Sequence, residues 1–130
     1  LERTVEQLRH RMRLLTNVDN MPDLMAWADV AISSAGSTSL ELAFMGLPAI
    51  LMVISENQCS IGVGMQERGA VMSLGALDQV SVECLAVAIR SLVGDAACRQ
   101  EMSRRSRSLV NSGVDHVVQT IRGLPRMDRT

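Results

Sequence analysis

Ala49-Ile50-Leu51-Met52-Val53-Ile54 is an unbroken apolar run, set between Gly46-Leu47-Pro48 and Ser55-Glu56-Asn57. A run this short, with no alternation of apolar and polar residues, reads as a strand buried on both faces. Such a strand needs cover above and below, which a single chain supplies through crossover helices and a parallel sheet. The stretch before it fits the same scheme. "DVAIS" reads as a strand, Ala35-Gly36-Ser37-Thr38-Ser39 as a loop of small residues, and the segment up to Gly46 as a helix. Gly46 suits the left-handed position that closes a helix, and Pro48 cannot continue one.

The alternation goes on with "NQCSIGVGMQERG" as a helix and "AVMSL" as a strand. Residues 30–33, 49–54 and 70–73 are therefore expected to be neighbouring parallel strands, with the loop at 35–38 on their carboxyl edge. Upstream, "MPDLMAWA" reads as a compact helix with Asn20 as its cap and Pro22 in its first turn. "MRLLTNV" reads as a short strand, and Glu2 to Arg11 as a helix with Leu1, Val5 and Leu8 on one face. From Ser81 the spacing turns helical: Val82, Leu85, Ala86, Ile89, Leu92 and Val93 share a face, and Gly94 ends that helix. Asp95 can cap the next, and Asp115 a third containing Val117, Val118 and Ile121. The expected fold is α/β, a Rossmann-like parallel sheet flanked by helices with a helical C-terminal tail. Residues 1–124 form one domain and 125–130 a frayed end.

With 130 residues, 47% of them apolar, and a formal charge of −1, the chain can build a core and advertises no nucleic-acid partner. All 13 basic residues are Arg, so a phosphate-loop lysine and a Schiff-base lysine are both excluded. Cys59, Cys84 and Cys98 are odd in number and lack C-x-x-C spacing, which suggests neither a disulfide framework nor a zinc site and fits a reducing, cytoplasmic compartment. No apolar run reaches the roughly 20 residues that span a bilayer. The charged, amphipathic start is unlike a signal peptide, and an opening Leu instead of Met is expected of a piece of a longer protein.

Ligands of open parallel sheets gather at the carboxyl ends of the strands. A helix beginning near Thr38 aims its unpaired N–H groups and positive dipole end out of the bare loop, making Gly36, Ser37 and Thr38 a cradle for phosphate or simply a tight, well-capped turn. Glu41 stands three residues after Thr38, the spacing of a capping box. Its alternative role is to accept both hydroxyls of a ribose, one turn inside a phosphate-binding helix start. Asn57 and Gln58 follow the second strand, where amides can cap a helix or donate to and accept from sugar hydroxyls and acetamido groups. Glu56 reads as a solvated neighbour and Cys59 as a small packing hydrophobe. His10 and His116 lie far from any strand's carboxyl end, and no general base with an orienting partner is visible. The run "RQEMSRRSRSLV" reads as a solvated helix face, although Arg104, Arg105 and Arg107 could meet an anionic membrane or an acidic partner face.

Taken in order, "ADVAISSAGSTSLELAFMGLPAILMVISENQ" resembles the signature of the C-terminal half of glycosyltransferase-B-fold proteins, in particular the family of the pseudaminic-acid-pathway UDP-sugar hydrolase and its spore-coat polysaccharide relatives. The peptidoglycan GlcNAc transferase shares the layout, and residues 12–75 carry the likeness. The resemblance implies that Gly36, Ser37 and Thr38 hold a diphosphate, Glu41 a ribose, and Asn57 with Gln58 the sugar, with the nucleobase near Val18 and Met21. It implies a UDP-sugar as the small-molecule partner, no cofactor and no metal. The family's opening strand with its Gly-rich loop finds no match before residue 12. Its N-terminal half, which carries the hydrolases' catalytic histidine or the transferases' acceptor site, is also outside the chain. The expectation is thus a UDP-sugar-binding half of a hydrolase acting on a UDP-diacetamido sugar. Glycosyl transfer, or a non-catalytic nucleotide-binding subunit, is the alternative. The helical tail of such folds can pack back across the domain junction.

Overall fold

The computed structural model describes residues 11–123. The expected helix over residues 2–11 and the frayed end at 125–130 therefore lie outside the described residues, apart from Arg11. Helix α1 (Met21–Trp27) leads to strand β1 (Ala31–Ser34), helix α2 (Ser37–Met45) and strand β2 (Ala49–Val53). A 3₁₀ turn (Glu56–Gln58) opens helix α3 (Cys59–Glu67), which returns to strand β3 (Met72–Ala76). A second 3₁₀ turn (Leu77–Gln79), helix α4 (Val82–Gly94) and the long helix α5 (Ala96–Gly123) complete the chain.

The three strands lie in the order β1-β2-β3, all parallel, with Ile32 beside Ile50 and Ile50 beside Met72. This is the Rossmann-like arrangement that the apolar run demanded. Central β2 is covered on both faces. Ala49 and Leu51 point into a cluster with Leu42, Ala43, Leu47 and Met65, and Ile50 points the other way, against Ala88, Leu92 and Met102. Ile50, Leu51 and Leu92 have no exposed surface, and burying each stabilises the fold by roughly 1.5–3 kcal/mol.

Helix α5 ties the two clusters together. Met102 packs in the second, whereas Leu109 and Val110 pack on the first. Between them α5 runs past the amino edge of the sheet, where α2, α3 and α4 end. Gly46 sits at φ +68° and Gly69 at φ +64°, the left-handed closure expected of helix ends. A methyl group on Gly46 would overlap the guanidinium of Arg107, and one on Gly69 that of Arg105. Arg107 donates to Met45 O at 3.1 Å, and Arg99 to Leu92 O at 2.9 Å. Arg68 bonds the carbonyl of Gly64 at 2.8 Å. A cation against terminal carbonyls complements the negative end of the helix dipole. The arginine run is thus only partly a solvated face. Arg104 and Arg105 pair with Glu101, holding its carboxyl down at about 2, mainly through the hydrogen bond from Arg104 and next that from Arg105.

Several expectations need correction. "MRLLTNV" forms no strand: residues 12–18 have no regular structure, and no fourth strand joins the sheet among the described residues. Asp115 caps nothing, because α5 runs through it without a break. A helix already wound continues through a residue of mediocre propensity, since adding one more turn costs no new nucleation. Asn20 makes no side-chain bond to the helix backbone, and its amide donates to the Asp23 carboxylate instead. Ser81 and Asp95 do cap, accepting from the N–H of Cys84 at 3.1 Å and of Cys98 at 2.9 Å.

Candidate functional site

Helix α2 starts earlier than the spacing suggested. Its cap is Gly36, with φ −95° and ψ −159°, and no side chain caps it. Ser37 and Thr38 therefore stand in the first helical turn, where N–H groups lack intrahelical acceptors. With Thr38 inside the helix, the Thr38–Glu41 capping box does not form. The buried Ser39 hydroxyl steadies the turn instead, donating to Gly36 O at 2.5 Å.

The loop after β2 meets this turn. The Gln58 carbonyl oxygen accepts from Ile54 N–H at 3.2 Å, which turns its amide nitrogen toward Gly36, 3.3 Å from where a Cβ there would be. That approach is close: a Cβ at residue 36 would make the Gln58 amide give way by a few tenths of an ångström. Asn57 is held by the Ser55 hydroxyl, which donates to its side-chain oxygen at 2.6 Å. Gly36, Ser37, Thr38, Asn57 and Gln58 are thus arrayed along one edge, the carboxyl edge of β1 and β2. Beneath them Gly62 lets α3 lie close on the sheet, where a Cβ would stand 3.3 Å from Val53 Cγ2.

Glu41 projects from α2 into a second concavity of about 400 Å³, shared with Pro22, Met25, Leu40, Phe44 and Met45. Its carboxylate has no hydrogen bond or ion pair among the described residues. Val18, partly buried, and Met21, exposed, belong to the segment that enters α1 beside it. Sequence reasoning missed the walls of this concavity, since Phe44 and Leu40 read as ordinary helix residues. A signal was present: Phe44 is the chain's one phenylalanine, it lies one turn after Glu41, and it is 68% exposed.

A third concavity, also unforeseen, opens between the ends of β2 and β3. Its volume is about 510 Å³, and Val53, Ile54, Ser55, Glu56, Cys59, Ala76, Leu77 and Asp78 line it. Beside it β3 bulges. Leu51 pairs with Ser73 but Val53 with Ala76, so Leu74 and Gly75 together face Met52. Gly75 takes φ +81° to allow it. Among the described residues no group of three or more His, Cys, Asp or Glu could hold a metal ion, and no helix is long and apolar enough to cross a membrane.

A family model described as the glycosyltransferase family 28 C-terminal domain matches residues 1–117. Among similar proteins, the UDP-N-acetylglucosamine–N-acetylmuramyl-(pentapeptide) pyrophosphoryl-undecaprenol N-acetylglucosamine transferase of Methylococcus capsulatus is 37% identical over 99 residues, 71% of this chain and 27% of that protein. The protein of the same name from Lactobacillus gasseri is 26% identical over 125 residues, 92% of this chain and 34% of its own. The chain thus spans about a quarter to a third of these relatives' length.

Proposed function

Because the chain belongs to the glycosyltransferase family 28 C-terminal domain family, we propose that it is the donor-binding part of a glycosyltransferase that moves a sugar from UDP to an acceptor. The observation that carries this reading is the meeting of Gly36 with Gln58 at the carboxyl edge of the sheet, a bare helix start facing a fixed amide. Gly36, Ser37 and Thr38 hold the diphosphate with backbone donors and two hydroxyls. Gln58 and Asn57 meet the sugar, and Glu41 accepts from the ribose. The nucleobase lies toward Val18 and Met21. Hydrolysis, the first expectation from the sequence, finds no support among the relatives, whose names are those of transferases. Their names describe a lipid-linked acceptor, and an acceptor at a membrane surface is in keeping with a peripheral contact.

In this division of labour the chain's residues bind and orient the donor. Phosphate oxygens on the first turn of α2 spread their charge over fixed dipoles, which helps UDP to leave as the bond to the sugar breaks. We assign the general base to residues outside this set, since among the described residues none is held by an orienting partner at the sugar. The test is Glu41→Gln. With no internal partner to lose, the variant should fold as stably as the parent. It should bind UDP more weakly by about 1–3 kcal/mol, the cost of a charge-assisted site left poorly paired. A 2′-deoxyribose analogue should lose less on the same substitution. Equal UDP affinities for both proteins would remove Glu41 from the site.

A further inference from the structure

We infer that the arginines at the amino edge of the sheet build an anion site, on the edge opposite the Gly36 turn, that takes the terminal phosphate of a phosphate monoester. The inference does not depend on the donor reading above, because it draws on other residues.

The site is a concavity of about 350 Å³ between the end of α3 and α5, lined by Arg68, Arg104, Arg105, Ser108 and Leu109. Along α5 it adjoins a hollow of about 600 Å³ that shares Arg104 and Ser108 and adds Arg107 and Asn111, with Asp115 at its far end. Three guanidinia thus converge from two separate elements, and like charges drawn together repel unless a counter-charge meets them. Glu101 meets part of that need. Its carboxylate accepts from Arg104 Nε at 2.8 Å and Nη2 at 2.7 Å, and from Arg105 Nε at 2.6 Å.

Three guanidinia against one carboxylate leave two positive charges over, and among the described residues no carboxylate lines the concavity itself. Donors are left over as well. A guanidinium carries five N–H donors, of which Arg68 spends one, on Gly64 O at 2.8 Å, Arg105 one and Arg104 two. The side chains of Arg104 and Arg105 are 67% and 48% exposed, so the remaining donors are open to a ligand. Charge then decides which ligand. A carboxylate or a phosphodiester brings a single negative charge, whereas a terminal phosphate brings about 1.5 to 2 at neutral pH and three strong acceptor oxygens. The terminal phosphate matches the surplus. Its oxygens also suit planar forks that arrive from two directions, with the Ser108 hydroxyl as a further donor.

The experiment titrates this chain, labelled with heavy nitrogen, with phenyl phosphate at constant ionic strength. It follows the side-chain N–H signals of Arg68 and Arg104 and the amide of Ser108 by magnetic resonance. These signals should shift to saturation, and Arg68→Gln with Arg104→Gln should weaken the affinity read at Ser108 roughly tenfold. The double variant should keep its thermal midpoint close to that of the parent, because the pairing it loses is exposed. Dimethyl phosphate, a diester, should bind several-fold more weakly than phenyl phosphate. Vesicles of phosphatidic acid, whose headgroup is a monoester, separate two sources of the same chemistry. Sedimentation of the chain with them beyond phosphatidylcholine vesicles puts the phosphate on a lipid, and binding of phenyl phosphate alone makes it a soluble ligand; either outcome supports the site. The inference falls if the three signals do not move, if the double variant keeps the affinity, or if the monoester and the diester bind equally. It falls too if phosphatidylglycerol vesicles, which carry only diesters, sediment the chain as well as phosphatidic acid does, since the cluster is then a general cationic face.

Discussion

The two edges of the sheet treat their helix ends in opposite ways. At the amino edge, the closing carbonyls of α2 and α4 are met by arginines of α5, Arg107 and Arg99, and a third, Arg105, lies over the end of α3 at Gly69. At the carboxyl edge, the opening turn of α2 has glycine for a cap and no side chain folded over it. Helix dipoles end at both edges. The ends at the amino edge are compensated from within the chain, whereas the start of α2 is available to a ligand. A residue's type does not say which job it has: Gly46 and Gly36 bracket the same helix, one making room for an arginine and the other for Gln58 and what it touches.

The largest effect that would break this contrast belongs to the amino edge. Gly46→Ala forces a left-handed φ on a residue with a Cβ and displaces Arg107. It should cost about 2 kcal/mol of folding stability in chemical denaturation, with UDP affinity unchanged in whatever remains folded. A weakened UDP affinity would mean that the edges are coupled. Gly36→Ala should do the reverse. Its φ of −95° suits any residue, so stability should move by only a few tenths of a kcal/mol. Displacement of Gln58 should cost about 1 kcal/mol in UDP affinity by calorimetry. Arg107→Ala should remove 0.5–1 kcal/mol or so of stability through the lost bond to Met45 O, again with no change in binding. The smallest effect concerns Glu101. Its carboxyl is held at about 2, so the stabilisation from its pairing is complete above the ordinary carboxylate range and is lost as pH falls through about 2. Because the group is exposed, Glu101→Gln should lower the thermal midpoint at pH 7 only slightly, and the two midpoint-against-pH curves should converge as pH falls toward about 2.

Much of the carboxyl edge was legible in the sequence because its signals are local. A two-faced apolar run, a Gly-Leu-Pro stop and a bare loop constrain the backbone within a few residues, and they placed β1, β2 and the turn between them. β3 was found two residues early, since the tight turn through Gly69 comes before its pairing begins. The rest depends on distant residues. Leu14 and Leu15 look like strand residues, but a strand needs a partner, and the sheet offers them none. Thr38 and Glu41 have the spacing of a capping box, yet the helix is capped two residues earlier, at Gly36, and leaves the pair unmade. The role of Arg107 depends on a carbonyl 62 residues away. The bulge at Gly75 beside the third concavity had no more signal than one glycine near the end of an apolar segment.

The order of the strands in space is also their order along the chain, and this bears on how the molecule acquires its structure. Each new strand joins the one made just before it, so every step closes a short loop at small entropic cost, and no strand waits for a distant partner. Helix α5 is the exception. It contributes Met102 to one cluster and Leu109 and Val110 to the other, so neither cluster is sealed until the last quarter of the sequence is present. Assembly can therefore proceed step by step as the chain emerges, but cooperativity arrives late, with the one described helix that packs in both clusters.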